Sequence, residues 1–263
     1  MASVSPACTV KSTLCKIVSS PLLSATRLLN WRTSIAAGVW VRGEPSLLLF
    51  SGMSRMLAFL TKWIPAAVLM LAATLTHSAP KTVLVLGDSL SAEYGLTRGS
   101  GWVALLEQKL KAEKIDATIV NASISGETTS GGRARLAALL TQYTPALVVI
   151  ALGANDGLRG LPVAAADANL RAMVTLSRAQ RAQVLLVGMR MPPNYGRDYT
   201  ERFFGMYQGL ATQLKAPLVP FMLEGVAEKP ALFQADRLHP TAQAHPVILA
   251  NIWPKLLPML KVR

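Results

Sequence analysis

The sequence ALVVIAL at residues 146–152 is apolar throughout, and it decides the fold class. A strand with one face in water alternates apolar and polar residues, whereas a central strand of a parallel sheet is covered by helices on both faces and reads as a continuous apolar run. Residues 82–86, TVLVL, are a second short run rich in β-branched residues, and Gly87 follows them. Both stretches therefore predict buried strands of a parallel sheet.

Strands and helices alternate along the rest of the chain after residue 80. Short apolar runs indicate strands, and apolar residues at helical spacing indicate helices. The predicted strands are residues 82–86, 117–120, 146–152, 184–187 and 218–221, and the predicted helices are residues 102–113, 133–143, 162–179, 199–214 and 241–257. Because this alternation builds right-handed βαβ units, we expect an α/β domain with a five-stranded parallel sheet and helices on both of its faces.

Residues 53–79 have the pattern of a secretory signal peptide. A basic flank, Arg55 and Lys62, precedes an apolar stretch at residues 63–75, and small residues follow up to residues 78–80. This order predicts cleavage near residues 78–80 and a periplasmic or secreted mature protein. The apolar stretch is shorter than the roughly 20 residues that span a bilayer. An uncleaved membrane anchor is the alternative interpretation of the same pattern.

Residues 1–52 form an extension ahead of the predicted signal peptide. They are rich in Ser, basic and nearly free of acidic residues, a composition that is also found in organellar transit peptides. We favour a start codon assigned too early, with translation beginning at Met53 or Met56. The chain then divides into the extension, the signal peptide at 53–79 and one domain at 80–263.

Composition and charge exclude several classes of protein. With 51% apolar and 16% charged residues, the chain has enough apolar material for a core, which argues against disorder. The net charge is +13, but the basic residues after residue 80 are scattered and not interleaved with aromatic residues, so we expect no nucleic-acid partner. Both cysteines, Cys8 and Cys15, precede residue 80, and no HExxH pattern occurs. We therefore expect no disulfide, thiol nucleophile or metal site in the domain.

Polar residues follow the predicted strands, at the edge where an open parallel sheet binds its ligands. Ser89 comes directly after the first strand, and Asp236 lies three positions before His239. An Asp at this spacing can hold the Nδ1–H of the imidazole and leave Nε2 as a base for a Ser hydroxyl. The alternative role for these residues is that of a helix cap. The hydroxyls that compete with the first candidate are those of Ser91, Ser123 and Ser125.

Three N–H donors could stabilise an oxyanion beside Ser89. The backbone N–H groups of Ser89 and Gly126 and the side-chain amide of Asn155 come from three predicted strand ends. Preorganised donors of this kind stabilise the charge that develops in acyl transfer. Taken singly, Gly126 and Asn155 are also common turn residues. No Gly-x-Ser-x-Gly elbow is present, which argues against an ordinary α/β-hydrolase.

The segments at these strand ends together resemble the GDSL, or SGNH, hydrolases. They are GDSLSAEYGL, NASISGETTSGG, GANDGLRG, MPPNYGRDY and LHP, and the likeness covers essentially all of residues 80–263. They are most similar to the bacterial periplasmic thioesterase I, lysophospholipase and arylesterase branch. The resemblance implies a flavodoxin-like three-layer α/β/α sandwich and a cofactor-free esterase that acts on acyl esters and thioesters.

The resemblance also implies roles for individual residues. Ser89 is expected to be the nucleophile, His239 the general base and Asp236 its orienter. Ser89, Gly126 and Asn155 are expected to form the oxyanion hole. Residues 157–160 would correspond to a mobile loop beside the acyl pocket. The residues expected to contact the substrate are Leu158, Gly160, Pro193 and Tyr195.

The expected function is hydrolysis of a small acyl ester or thioester through an acyl-enzyme. Transient contact with membrane lipid is a further partner that this function allows. One alternative is a carbohydrate acetylesterase or acyltransferase on the same fold. The least favoured alternative is a non-catalytic binding module, because every catalytic position holds a competent residue. Ala154 and Arg237 stand where relatives often have Gly, and neither removes a catalytic group. Arg237 adds a cation that could attract a phosphate or carboxylate or could face solvent.

Overall fold

The structure is a computed structural model that describes residues 80–261. The predicted extension and signal peptide, residues 1–52 and 53–79, lie outside the described residues. Within residues 80–261, no helix combines the length and the apolar character that crossing a bilayer requires.

The described part of the chain is built on one sheet of five parallel strands. They are β1 (Lys81–Gly87), β2 (Ala117–Asn121), β3 (Leu147–Ala151), β4 (Gln183–Val187) and β5 (Leu218–Val219). Their order across the sheet is β2-β1-β3-β4-β5, so β1 and β3 lie inside it, and Leu84 pairs with Val120 on one side and Val148 on the other. Every residue of β3 is buried, which confirms the prediction drawn from its apolar sequence.

Helices cover both faces of this sheet. They are α1 (Trp102–Ala112), α2 (Thr129–Tyr143), α3 (Ala154–Leu158), α4 (Val163–Ala179), α5 (Arg197–Leu214) and α6 (His245–Lys261). α1 packs with α6 in one layer, and α4 packs with both α2 and α5 in the other. The expected three-layer α/β/α arrangement is therefore confirmed.

One buried polar contact joins the beginnings of α1 and α6. The backbone N–H of Trp102, which has no partner within its own helix, donates to Nδ1 of His245 at 2.9 Å, and the indole Nε1 donates to Ser91 Oγ at 3.2 Å. Burial lowers the pKa of His245, so its ring is neutral and can accept this hydrogen bond. His245, which falls within the predicted last helix at residues 241–257, is the first residue of α6 and a structural acceptor.

The predicted element boundaries differ from the structure where tertiary contacts act. α2 begins at Thr129 and not at residue 133, because the Thr128 hydroxyl caps it by accepting the N–H of Gly131 at 3.3 Å. β5 ends at Val219 because Pro220 has no N–H for the ladder. The other differences are the unpredicted short helix α3, the start of α6 at residue 245 after a 3₁₀ turn at Ala242–Ala244, and its continuation past two prolines to Lys261.

Gly188, which follows β4, gives a test of how closely the strand ends pack. A Cβ at this position would lie 2.4 Å from the backbone oxygen of Pro220, and backbone cannot move aside as a flexible side chain can. We therefore expect Gly188→Ala to lower the free energy of unfolding by about 2 kcal/mol or more, measured by urea denaturation. Gly205→Ala in α5 is the matched control: nothing lies within 4 Å of its Cβ, so it should stabilise the helix by about 1 kcal/mol. Equal effects of the two changes would contradict the packing described here.

Candidate active site

The side chains of Asp236, His239 and Ser89 form a continuous chain of hydrogen bonds. His239 Nδ1 lies 2.6 Å from Asp236 Oδ2, and His239 Nε2 lies 2.9 Å from Ser89 Oγ. Ser89 follows β1, whereas Asp236 and His239 lie in the loop before α6, 150 residues along the chain. The fold therefore brings these three predicted residues together at the carboxyl edge of the sheet.

The loop itself sets the charge on Asp236. Its Oδ1 accepts the backbone N–H groups of His239 at 3.0 Å and Leu238 at 2.9 Å. These two hydrogen bonds, with the imidazole as a further donor, lower the pKa of Asp236 to about 2. An ionised Asp236 at neutral pH favours the tautomer with its proton on Nδ1. Nε2 is then free to accept the proton of Ser89.

Two residues that the sequence did not single out hold His239 in place. Gln234 uses its side-chain amide to donate to the backbone oxygens of Tyr94 at 2.9 Å and Pro240 at 3.0 Å, and its own backbone N–H donates to His239 O at 2.7 Å. The Tyr94 ring lies against the imidazole, with ring centroids 4.3 Å apart. Tyr94 lies in the GDSLSAEYGL segment but reaches His239 through a contact distant in sequence, whereas Gln234 is close to His239 in the chain and belongs to none of the quoted segments.

The competing hydroxyls are placed differently from Ser89. Ser91 Oγ is buried and accepts from Trp102, and Ser123 Oγ is buried with no hydrogen-bond partner among residues 80–261. Ser125 is exposed but makes no hydrogen bond to His239. Of the four candidates, Ser89 is the one that both contacts the imidazole and lines the adjoining groove.

The three predicted N–H donors of the oxyanion hole lie in the segments that follow β1, β2 and β3. Within residues 80–261, the backbone N–H groups of Ser89 and Gly126 donate to no protein acceptor. Gly126 has a φ of +80°, a conformation that favours glycine. Asn155 Nδ2 donates to the backbone oxygen of Glu127 at 3.0 Å, and a longer contact of 3.4 Å joins it to Asp88 Oδ2. One amide hydrogen of Asn155 is thus anchored, and the other is held only loosely.

Side chains behind these donors fix the loops that carry them. Asp156, next to Asn155, accepts the backbone N–H of Thr129 at 2.8 Å and its hydroxyl at 2.6 Å, which ties α3 to the start of α2. The buried carboxylate of Glu127 pairs with Arg135. Arg159 Nη2 donates to the backbone oxygen of Gly126 at 2.9 Å. The contacts of Asp156 hold the short helix Ala154–Leu158, whose own helix propensity is weak, against the start of α2.

A groove of about 1150 Å³ opens beside Ser89. Leu158 and Pro193 line it, as expected, whereas Gly160 and Tyr195 do not. The Tyr195 hydroxyl instead donates to the backbone oxygen of Leu158 at 2.9 Å, so it supports the wall from outside. The apolar lining residues that the sequence did not identify include Met189, Met191, Phe221, Leu223 and Phe233, and the charged ones are Asp88, Arg190, Glu228 and Arg237. Within residues 80–261, no group of three or more His, Cys, Asp or Glu side chains could hold a metal ion.

Comparison with known proteins gives consistent matches. The model of the GDSL-like lipase/acylhydrolase family matches residues 85–247. The esterase TesA of Pseudomonas aeruginosa is 52% identical over 184 residues, which cover 70% of this chain and 92% of that protein. Thioesterase 1/protease 1/lysophospholipase L1 of Escherichia coli strain K12 is 40% identical over 199 residues, covering 76% and 94%. The crystal structure of TesA superposes with a TM-score of 0.67 over 68% of this chain and 99% of that one, at 52% identity.

Asp88 lies beside the site with an opposite electrostatic environment to Asp236. It is buried, one oxygen accepts the N–H of Leu90 at 3.0 Å, and burial raises its pKa from 3.8 to about 6. A carboxyl group whose folded-state pKa is raised stabilises the fold fully below pH 4, and this contribution is lost as the pH rises to about 6.

Through Asp88, the wild type should lose at most about 3 kcal/mol in free energy of unfolding between pH 4 and pH 7. In Asp88→Asn, we expect this loss to be absent. Urea denaturation at the two pH values measures it. Asp116→Asn, a matched change at an exposed loop position, should keep the wild-type pH dependence. If Asp88→Asn also keeps the wild-type pH dependence, the raised pKa of Asp88 is refuted.

Proposed function

Because the chain belongs to the GDSL-like lipase/acylhydrolase family and is a carboxylic ester hydrolase, we propose that Ser89, His239 and Asp236 carry out the hydrolysis. The observation that carries this proposal is the unbroken chain of hydrogen bonds from Asp236 Oδ2 through the imidazole of His239 to Ser89 Oγ. It has the geometry of a nucleophile, a base and a group that orients the base.

The first half of the reaction acylates Ser89. Its Oγ attacks the acyl carbonyl carbon while its proton passes to His239 Nε2, and the carbonyl oxygen becomes an oxyanion. When the carbon–oxygen or carbon–sulfur bond of the leaving group breaks, the imidazolium returns its proton to the leaving atom. The leaving alcohol, phenol or thiol departs neutral, and an acyl-enzyme remains.

The second half of the reaction frees the enzyme. Water takes the place of the leaving group, gives a proton to His239 Nε2 and attacks the acyl carbon. The tetrahedral intermediate then collapses, the carboxylic acid departs, and the proton returns to Ser89 Oγ. Throughout, the ionised carboxylate of Asp236 stabilises the positive charge that forms on the imidazole.

The proposed oxyanion hole consists of the backbone N–H groups of Ser89 and Gly126 and the loosely held amide hydrogen of Asn155. The first two lack a protein acceptor within residues 80–261, so no existing bond has to break when the oxyanion forms. Donors already in place cost no reorganisation, and each is worth roughly 100- to 1000-fold in rate.

The lining of the groove supports an acyl chain as the group that it binds. Leu158 and Pro193, with the Met and Phe side chains named above, offer apolar walls of the kind that bury hydrocarbon. This favours acyl esters, thioesters and lysophospholipids over acetylated carbohydrate, which would need more polar groups. The side chains of Tyr94 and Leu238, which flank His239 of the groove, are exposed and support transient contact with lipid. Sedimentation with phospholipid vesicles would measure this contact.

Export of the enzyme is a further part of this proposal. The basic flank, apolar stretch and small residues of the segment 53–79 support a cleaved signal peptide. N-terminal sequencing of the native mature protein should find its first residue between positions 79 and 81. A peptide from residues 1–52 in the native precursor would refute translation from Met53 or Met56.

Replacement of Ser89 tests the proposed nucleophile directly. Ser89→Ala should lower kcat on p-nitrophenyl acyl esters by about 10⁴-fold or more, because no hydroxyl remains to accept the acyl group. A fluorophosphonate probe should label the wild type at Ser89 and leave the variant unlabelled. Ser125→Ala, which removes a nearby exposed hydroxyl, should keep both labelling and activity. Full activity in Ser89→Ala would overturn the assignment.

A further inference from the structure

Arg237 occupies a backbone conformation that its side chain disfavours. Its φ is +56°, in the left-handed region that suits glycine, and its backbone N–H donates to Gln234 O at 2.9 Å in the turn that presents Asp236 and His239. The turn therefore needs the positive φ but gains nothing from an arginine. The reason for a large cationic side chain at this position has to be sought in what the side chain reaches.

Arg237 lines the groove beside Ser89, and its side chain has no protein partner within residues 80–261. Within residues 80–261, no carboxylate lies within 4.0 Å of it, and it donates no hydrogen bond. The nearest acid in sequence, Asp236, already uses one oxygen on two backbone N–H groups and the other on His239. Glu228 also lines the groove but forms no ion pair with Arg237. The five donors of this side chain thus remain available to a ligand.

Arg190, the second arginine of the groove, differs from Arg237 in that its cation has protein contacts. The guanidinium of Arg190 lies 4.0 Å from the ring centroid of Phe204 and 5.4 Å from that of Phe221. Two aromatic faces stabilise this cation. Among the residues that the structure describes, no aromatic ring stacks on Arg237 in this way.

The catalytic geometry decides which part of a substrate lies near Arg237. His239 Nε2 has to reach the atom that leaves, so the leaving group lies on the side of the His239 loop. In the proposed mechanism, the oxyanion is bound instead by the N–H groups of Ser89, Gly126 and Asn155. Arg237 is two residues from His239 on the same loop and also lines the groove, so it belongs to the part of the groove that the leaving group would occupy.

We propose that Arg237 is a specificity-determining residue that binds an anionic group, phosphate or carboxylate, on the leaving alcohol, phenol or thiol of the substrate. A planar guanidinium binds two oxygens of such a group at once. The inference rests on the proposed function of Ser89. To that function, the inference adds a preference for esters with negatively charged leaving groups.

A matched pair of esters measures this preference. 4-Butyryloxybenzoate and its methyl ester share the acyl group and the reacting bond, and they differ by one negative charge on the leaving phenol. In the wild type, the ratio of kcat/KM for the anion to that for the neutral ester should fall as salt is added, because salt screens the attraction. Arg237→Gly, which suits the positive φ of the turn, should lower the ratio about tenfold at low salt, as loss of one charged hydrogen bond does. Arg237→Lys should give an intermediate ratio.

Arg181→Gly is the control variant for this experiment. Arg181 also has a positive φ, +62°, is exposed, and precedes β4 at the opposite edge of the sheet. The variant therefore has the same change in net charge and the same change in backbone preference as Arg237→Gly. An equal fall in the ratio for Arg181→Gly overturns the proposal, and so does an Arg237→Gly variant that changes the ratio neither for this pair of esters nor for the second pair described below.

A second pair of substrates identifies the anion. Lysophosphatidic acid and the monoacylglycerol of the same chain length differ by the phosphate. A fall in the ratio for this pair alone assigns a phosphate, a fall for the benzoate pair alone assigns a carboxylate, and a fall for both assigns either anion. The proposed function is tested separately, because it fails if Ser89→Ala turns over these esters. The proposal for Arg237 fails if Ser89→Ala is inactive and Arg237→Gly changes neither ratio.

Discussion

Burial of β1 and β3 on both faces is the constraint on which the rest of this structure depends. Strands covered by helices on both sides cannot carry charged side chains along their length, because an unpaired charge costs too much in the interior. The chain can place polar groups only where these strands end. Asp88 and Ser89 follow β1, and Asn155 follows β3, so the central position of the two strands also places these residues side by side. The site is thus a consequence of how the sheet is covered.

The oxyanion side of the site depends on buried polar contacts between loops. Asn155 is anchored by the backbone of Glu127, Glu127 is anchored by Arg135, and Asp156 joins the two segments through Thr129. Each of these groups is hydrogen-bonded, which offsets the cost of burying it. A network of this kind specifies one arrangement of the loops. The same geometry through apolar contacts alone would leave the amide of Asn155 free to rotate.

Two aspartates on either side of Ser89 show how environment sets charge. Asp236 is exposed and accepts two backbone N–H groups as well as His239, and its pKa falls to about 2. Asp88 is buried, and desolvation outweighs the hydrogen bond from Leu90 and the nearby charge of His239, so its pKa rises to about 6. The first is ionised at neutral pH, where it can orient a base. The second changes charge just below neutral pH, next to the amide of Asn155.

The sequence alone was sufficient for the sheet, the five strands and the residues at their carboxyl ends, because two-sided burial and turn chemistry are local properties that each segment carries. It also indicated Ser89, Gly126, Asn155, Asp236 and His239, since their spacing and the family resemblance are written in the chain. Tertiary structure alone decided the rest. Tyr94 contacts His239 from a segment distant in the chain, and Gln234 joins that segment to the His239 loop. Asp156 ties α3 to Thr129, and Tyr195 lies behind Leu158 and outside the groove. Such contacts have no local signature, because they form only when distant segments are folded against one another.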